Sequence, residues 1–184
     1  MKEKSQLRVV IVNGRPGVGK TTFEDYCGEV LGYYFVKRRS TIDIIKWIAS
    51  QYGWTGSKEL KDRKFLSDLK DIFTNYNDLP HKDIKKFLED WEFSLKRENL
   101  IDKPHILFVD SREPEDIERL KQEFNATTLL IRRPGDENIE TSNHADEKVF
   151  EYEYDYTLYN DGAEADLTEK AIDFINWLFG EIVV

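Results

Sequence analysis

The sequence predicts an α/β domain built on a parallel sheet, and three observations carry that expectation. The short apolar runs Leu7 to Val12, Ile106 to Val109 and Thr127 to Ile131 read as strands, buried on both faces. Segments with apolar residues at helical intervals lie between and after them, the alternation that builds parallel sheets. The first run also leads directly into Gly14-Arg15-Pro16-Gly17-Val18-Gly19-Lys20-Thr21, which fits the pattern G-x-x-x-x-G-K-[ST] and is followed by helical spacing.

The chemistry of that motif explains its composition. The backbone must fold closely around phosphate oxygens and aim successive N–H groups inward, which side chains larger than hydrogen would obstruct. The helix that follows adds free N–H groups and the positive end of its dipole. Gly14, Arg15, Pro16, Gly17, Val18, Gly19, Lys20, Thr21 and Thr22 are therefore the candidate nucleotide-binding residues. Lys20 is expected to reach the β- and γ-phosphates, Thr21 to ligate Mg2+, and Arg15 and Thr22 to help. The bland alternative, a Gly-rich turn with an exposed lysine, is disfavoured by the strand before it and the helix after it.

Phe23, Tyr26, Cys27, Val30 and Leu31 recur at helical intervals after the loop, and Gly32 is a suitable C-cap. Tyr33 to Val36 reads as a second strand, with Lys37-Arg38-Arg39 at its carboxyl end, the edge where open α/β sheets place ligands. That triplet either meets a second phosphate or forms a solvated loop. Ser40 or Thr41 can cap a helix carrying Ile44, Ile45, Trp47 and Ile48, which stops near Gly53. After the turn Trp54-Thr55-Gly56, Ser57 opens a longer helix with Leu60, Lys64, Phe65, Leu69 and Ile72. Asn75 to Pro80 is expected to break it, and a third helix from His81 to about Arg97 carries Ile84, Phe87, Leu88, Trp91 and Leu95 on one stripe. A crossover swollen by these helices, about residues 40–100, can wall a second substrate.

Ile106-Leu107-Phe108-Val109-Asp110 ends an apolar strand on an acid, as a Walker B element does, so Asp110 is expected to hold Mg2+ directly or through water. Pro114, followed by Glu115 and Asp116, starts a helix running to Phe124. Arg132 and Arg133 follow the fourth strand, where their guanidinium forks suit a polyphosphate; a salt-bridged strand terminus is the alternative. Pro134 to about Lys148 shows no periodicity and reads as a lid, and His144 with Asp146 and Glu147 makes no convincing metal site. Phe150 to Tyr156 alternates aromatic and acidic residues, as an extended segment would, and Tyr156 to Asn160 reads as the last strand. The turn Asn160-Asp161-Gly162 is expected beside the base pocket. Asp166 with Glu169 resembles a capping box for a final helix carrying Leu167, Ala171, Phe174, Ile175, Leu178 and Phe179.

A length of 184 residues suits one domain with a central sheet. The balance of 27 Lys+Arg against 36 Asp+Glu, a net −9, disfavours a nucleic-acid polymer as partner. The single cysteine, Cys27, rules out an internal disulfide, fits a reducing compartment and reads as core. No apolar run approaches the ~20 residues needed to span a bilayer, and no signal-peptide pattern begins the chain, so a cytoplasmic protein without a membrane partner is expected. Nothing in the sequence sets an oligomeric state.

Taken together, the motifs resemble the P-loop nucleoside monophosphate kinases, most closely the phage-type deoxynucleoside monophosphate kinases and their dephospho-coenzyme A kinase relatives. The matching pieces are the P-loop, Ser40 to Lys46 with Gly53-Trp54, Lys61-Asp62-Arg63-Lys64-Phe65-Leu66, Trp91, Val109 to Glu115, Ile131-Arg132-Arg133-Pro134, His144 to Glu147, and Leu158 to Gly162. The resemblance implies a P-loop NTPase fold, a three-layer α/β/α sandwich with a five-stranded parallel sheet, a helical acceptor-binding insertion, and a short lid at about 133–148 closing over ATP. By position, Lys46, Arg63, Arg112 and Arg38 would hold an acceptor monophosphate. Arg132 and Arg133 would hold the transferred phosphate or stack on adenine, and Asn160 would lie near the base. Where the phage pattern has glutamine and glycine, this chain has Ser67-Asp68-Leu69-Lys70, and its lid is poorer in arginine.

These features imply an ATP-dependent phosphotransferase acting on a small nucleotide, with Lys20, Asp110, Arg112, Arg132 and Arg133 in the catalytic set. A dephospho-coenzyme A kinase-like enzyme, with Asp110 as base toward a hydroxyl, is a variant of that reading. A nucleotide-binding sensor that transfers no phosphate is the alternative from another class. A small GTPase is disfavoured because no Asn-Lys-x-Asp motif occurs.

Overall fold

A computed structural model of the chain describes residues 6–57, 59–138 and 148–180. Five parallel strands form one sheet in the order β2-β3-β1-β4-β5: β1 Leu7–Asn13, β2 Val36–Ser40, β3 His105–Asp110, β4 Thr127–Arg132 and β5 Tyr156–Tyr159. The strands connect through α1 Lys20–Leu31, then α2 Asp43–Gln51, α3 Leu60–Asn77 and α4 Leu79–Arg97, then α5 Pro114–Phe124; α6 Glu164–Phe179 closes the chain.

Strands buried on both faces build two cores, as their near-continuous apolar runs require. On one face Val10, Val12, Phe108, Leu129 and Ile131 pack with Phe23 and Cys27 of α1 and Phe174 and Ile175 of α6. On the other, Val9, Ile11, Leu107 and Val109 pack with Ile84, Trp91 and Leu95 of α4 and Ile117 and Leu120 of α5. A third, small cluster of Ile45, Ala49 and Leu66 joins α2 to α3. Among the described residues no helix is long and apolar enough to cross a membrane.

Several boundaries differ from the sequence expectation. The second strand is Val36–Ser40, not Tyr33 to Val36. Phe35 N–H turns back to the Gly32 carbonyl at 2.9 Å, and Tyr33 and Tyr34 remain exposed, so the aromatic run is a turn. Lys37, Arg38 and Arg39 therefore lie inside a strand at the sheet edge, where charge blunts the edge against pairing with other chains. The helix after that strand starts at Asp43, whose carboxylate accepts the Ser40 N–H at 2.8 Å.

The expected break at Asn75 to Pro80 narrows to Asp78 alone, in the left-handed conformation at φ 59°, and Pro80 falls in the first turn of α4. The inward face of α3 carries Leu66, Leu69 and Phe73, whereas Leu60, Phe65 and Ile72 are exposed, the last two at 45% and 61%. Trp47 on α2 is likewise exposed. Lys148–Phe150 form a short 3-10 helix, so the segment expected to be extended from Phe150 begins in a helical turn, and regular strand begins at Tyr156. The final helix takes Ala163 as N-cap; Asp166 accepts the Ala163 N–H at 2.7 Å, so Asp166 lies inside the first turn. Most of the expected lid, with His144, Asp146 and Glu147, lies outside the described residues.

The rotated face of α3 sets a test. Leu66→Ala is expected to cost about 2–4 kcal/mol in urea unfolding, and Phe65→Ala, despite the larger side chain, about 1 kcal/mol or less.

Candidate functional site

The carboxyl ends of β3, β1 and β4 converge on one edge, with Asp110 paired in register to Val12 on β1 and to Ser40 on β2. Open parallel sheets bind ligands at this edge. The loop between Asn13 and Lys20 sits there, and two of its glycines are sterically required. At Gly14, φ is 145° and an added Cβ would stand 2.4 Å from the Ile131 carbonyl oxygen. At Gly19, φ is 98° and a Cβ would meet the Asn160 amide nitrogen at 2.5 Å. Among the described residues no side chain caps the first turn of α1, and no acid occupies that turn, so its N–H groups keep their attraction for an anion. Lys20 Nζ reaches back over the loop, donating to the Gly14 carbonyl at 2.6 Å and the Arg15 carbonyl at 3.3 Å. Thr21 is exposed in that turn and Thr22 half-buried; Pro16 and Gly17 form the exposed tip, and Val18 is buried.

Two amides that brace the loop carry roles composition alone does not indicate. Asn13 Oδ1 accepts the Gly14 N–H at 2.8 Å, and its Nδ2 donates to the Arg112 carbonyl at 3.3 Å and to the Tyr154 hydroxyl at 2.8 Å. Tyr154 in turn donates to the Val149 carbonyl at 2.9 Å, and burial pushes its hydroxyl up to about 12, keeping it a donor. The sequence signal for Asn13 is a polar residue ending an apolar strand beside the motif. Asn160, expected near a base, donates to the Val18 carbonyl at 2.9 Å.

Acid and base crowd around Asp110. Burial raises its carboxyl above the usual range; Lys20, Arg112 and Arg38 oppose this, and Asp43 adds to it. Glu24, which sequence reasoning missed, lies one turn after Lys20 on α1 and is 2% exposed. Burial, then the Asp110 charge, pushes it up to about 8, against the pull of Arg38 and Lys20. Its only advance signal was a carboxylate amid the apolar positions of α1.

The arginines are distributed differently from the sequence expectation. Arg38 pairs with Asp25 at 2.6 Å and approaches Glu24 at 3.7 Å, on the α1 face of the sheet. The guanidinium of its neighbour Arg39 lies over the Phe87 ring of α4, 4.0 Å from the ring centre. Arg112 is exposed beside Asp110. Lys46 and Arg63 are exposed on α2 and α3, and neither is among the leading charges acting on Asp110.

Arg15 turns under the loop, donating to the Asp136 and Glu137 carbonyls at 2.9 and 3.0 Å and lying over Phe150. Arg132 forks onto the Asp136 carboxylate at 2.7 and 3.3 Å and covers the same Phe150 ring at 4.3 Å. The Arg133 N–H donates to Asp136 as well, while its side chain is exposed. Burial pushes the Asp136 carboxyl up, but Arg132 and the Arg133 amide outweigh it and hold it below its usual value. The salt-bridged strand terminus, the alternative reading of this pair, is what the geometry has at Arg132.

No protein-family model matches the chain, and no curated protein matches it. Solved structures share its fold. Shikimate kinase from Aquifex aeolicus is 10% identical, the match covering 92% of this chain and 96% of that one, with a TM-score of 0.52. The dephospho-CoA kinase from Campylobacter jejuni is 17% identical over 96% and 100% of the two chains, with a TM-score of 0.46. Thymidylate kinase from Ehrlichia chaffeensis is 12% identical over 92% and 98%, with a TM-score of 0.43. The likeness to the Aquifex protein places the chain in the five-stranded parallel α/β fold.

The buried acid has a measurable consequence. Between the ordinary carboxyl value of 4.5 and about 8, folded Glu24 keeps a proton that the unfolded chain has released, so stability falls as pH rises through that window. Glu24→Gln is expected to flatten the pH dependence of the urea midpoint there and to be the more stable protein at pH 8; an unchanged slope contradicts the assignment.

Proposed function

We propose that the chain is an ATP-dependent phosphotransferase whose acceptor is a small (deoxy)nucleoside monophosphate or a related nucleotide. The observation that carries this reading is a braced loop, held close to its neighbours at Gly14 and Gly19 and topped by Lys20, beside an acid at the end of β3 on which Lys20, Arg112 and Arg38 all act. Transfer between phosphates needs little covalent help, so alignment and charge neutralisation supply the catalysis.

Mg2+ fits the residues present: the exposed Thr21 hydroxyl, the Asp110 carboxyl and the buried Glu24 Oε1, which has no hydrogen-bond partner among the described residues, are all hard oxygen donors. When bound with the nucleotide, the ion neutralises charge on the β- and γ-phosphates. Thr21 and Asp110 would hold it. The amides of Gly14 to Thr22 would wrap the triphosphate, and Lys20 would exchange its two carbonyl bonds for phosphate oxygens. Arg112 and Arg38, whose charges act on Asp110, would orient the acceptor's anion, with Lys46 and Arg63 contributing from the insertion helices. Arg132 and Arg133 would meet the transferred phosphate, which for Arg132 requires release from Asp136. Asn160 would keep the loop in register beneath the base. A cytoplasmic setting belongs to this reading, supported by the single, buried Cys27.

One observation favours a hydroxyl acceptor of the dephospho-coenzyme A type. Asp110 stands half-buried at the carboxyl end of β3, the ligand edge of the sheet, where a carboxylate can accept a proton from an attacking hydroxyl. A second observation favours a sensor: Arg38 and Arg132 already have carboxylate partners.

The readings separate when ATP is incubated with a panel of (deoxy)nucleoside monophosphates and dephospho-coenzyme A. Acceptor-dependent ADP release is expected, reduced roughly a hundredfold or more in Lys20→Ala. Tight ATP binding with no acceptor on the panel would instead establish the sensor.

A further inference from the structure

Glu24 is a carboxyl that the phosphate-loop chemistry does not require. It is 2% exposed, its Oε1 has no hydrogen-bond partner among the described residues, and its Oε2 faces Arg38 at 3.7 Å. Lys20 and Glu24 are four residues apart on α1, so both side chains lie on one helix face. Arg38, which Glu24 faces, pairs in register with Phe108, and side-chain alternation puts Phe108 and Asp110 on the same α1-facing side of the sheet, so the Glu24 carboxyl lies on the face that carries Asp110 at the end of β3.

Anchoring Arg38 does not account for it. Asp25 already holds that guanidinium at 2.6 Å from a half-exposed position that needs little desolvation. Burying a second acid next to Asp110 adds a desolvation penalty and a like-charge repulsion, and leaves a lone pair unfilled. A hard divalent cation offsets all three at once, because its charge balances both carboxylates and it fills the unused oxygen.

We propose that Glu24 is part of the divalent-cation site, its Oε1 completing, directly or through one water, the oxygen shell begun by Thr21 and Asp110. Mg2+ is the class of ion this donor set takes, since every donor is oxygen and the ion keeps several of its waters. The inference rests on the phosphotransferase reading for the position of the ion, and extends it by a residue outside both the loop motif and the strand-end acid. Glu24 acts here as a positioning residue for the ion and has no contact with the transferred phosphate.

The test uses Mn2+ as a paramagnetic stand-in, titrated into the full chain with a non-hydrolysable ATP analogue and followed by electron paramagnetic resonance. Glu24→Gln, which keeps the side-chain volume, is expected to weaken Mn2+ binding roughly tenfold, while analogue affinity in EDTA stays at the wild-type value. Asp25→Asn, which removes the other partner of Arg38, is expected to leave Mn2+ affinity within about twofold of wild type. Glu24→Asp keeps the charge one methylene short and is expected to fall between wild type and Glu24→Gln, so it carries the test if the glutamine variant fails to fold. Mn2+ affinity within about twofold of wild type in whichever of the two variants folds overturns the inference, as does an equal loss in Asp25→Asn, which would reduce Glu24 to an anchor for Arg38. A wild-type chain that does not bind the analogue overturns the phosphotransferase reading itself; analogue binding with an unaffected Glu24 variant overturns this inference alone.

Discussion

Gly14 leaves no space for a side chain against the Ile131 carbonyl of β4, and that close approach fixes where the loop lies. Because β1 runs between β3 and β4, a loop pressed against β4 on one side opens toward Asp110 on the other. Asn13 ties the first loop amide to the Arg112 carbonyl beyond β3, and Asn160 ties the Val18 carbonyl to the residue after β5. The loop is therefore held from three strand ends before any ligand arrives, which lowers the ordering entropy that binding would otherwise lose.

The charges around this frame differ in how readily they rearrange. Arg38 and Asp25 are both about half exposed, and such a pair contributes about 0–1 kcal/mol. A phosphate can displace that carboxylate with little loss. Arg132 and Asp136 are different, because the Asp136 side chain is fully buried, and removing one partner of a buried pair costs about 3 kcal/mol or more. The Arg132–Asp136–Phe150 unit is thus a structural strut unless the segment around Asp136 moves with it. The carbonyls of Asp136 and Glu137 also fix Arg15, so such a movement would be felt at the loop.

The parts of the molecule legible in the sequence are those set by local chemistry. The loop motif, the apolar runs of β1, β3 and β4, the acid closing β3 and the Pro-started α5 need only short-range pattern. The second strand was misplaced because Tyr33 to Phe35 carry strand propensity, yet a turn closing on Gly32 removes them and the charged Val36–Ser40 pairs with β3 instead. The face of α3 is read one position off: Leu69 packs as expected, but Phe65 and Ile72, which repeat with it at helical spacing, are exposed, while Leu66 and Phe73 beside them join the cluster with α2. Glu24, Asn13 and the capture of Arg132 by Asp136 depend on which side chains the sheet order brings together. The Asn13 to Tyr154 bond, for instance, spans 141 positions, and no window of sequence contains it.

The central claim is that a braced main-chain cradle and the Lys20 ammonium bind a triphosphate beside Asp110. The most direct measurement is a crystal structure of the chain with Mg2+ and a non-hydrolysable ATP analogue. The account predicts the β- and γ-phosphates inside the loop, with Lys20 Nζ moved from the Gly14 and Arg15 carbonyls onto phosphate oxygens and Asn13 and Asn160 unchanged. An analogue bound elsewhere, with Lys20 still on those carbonyls, would contradict it.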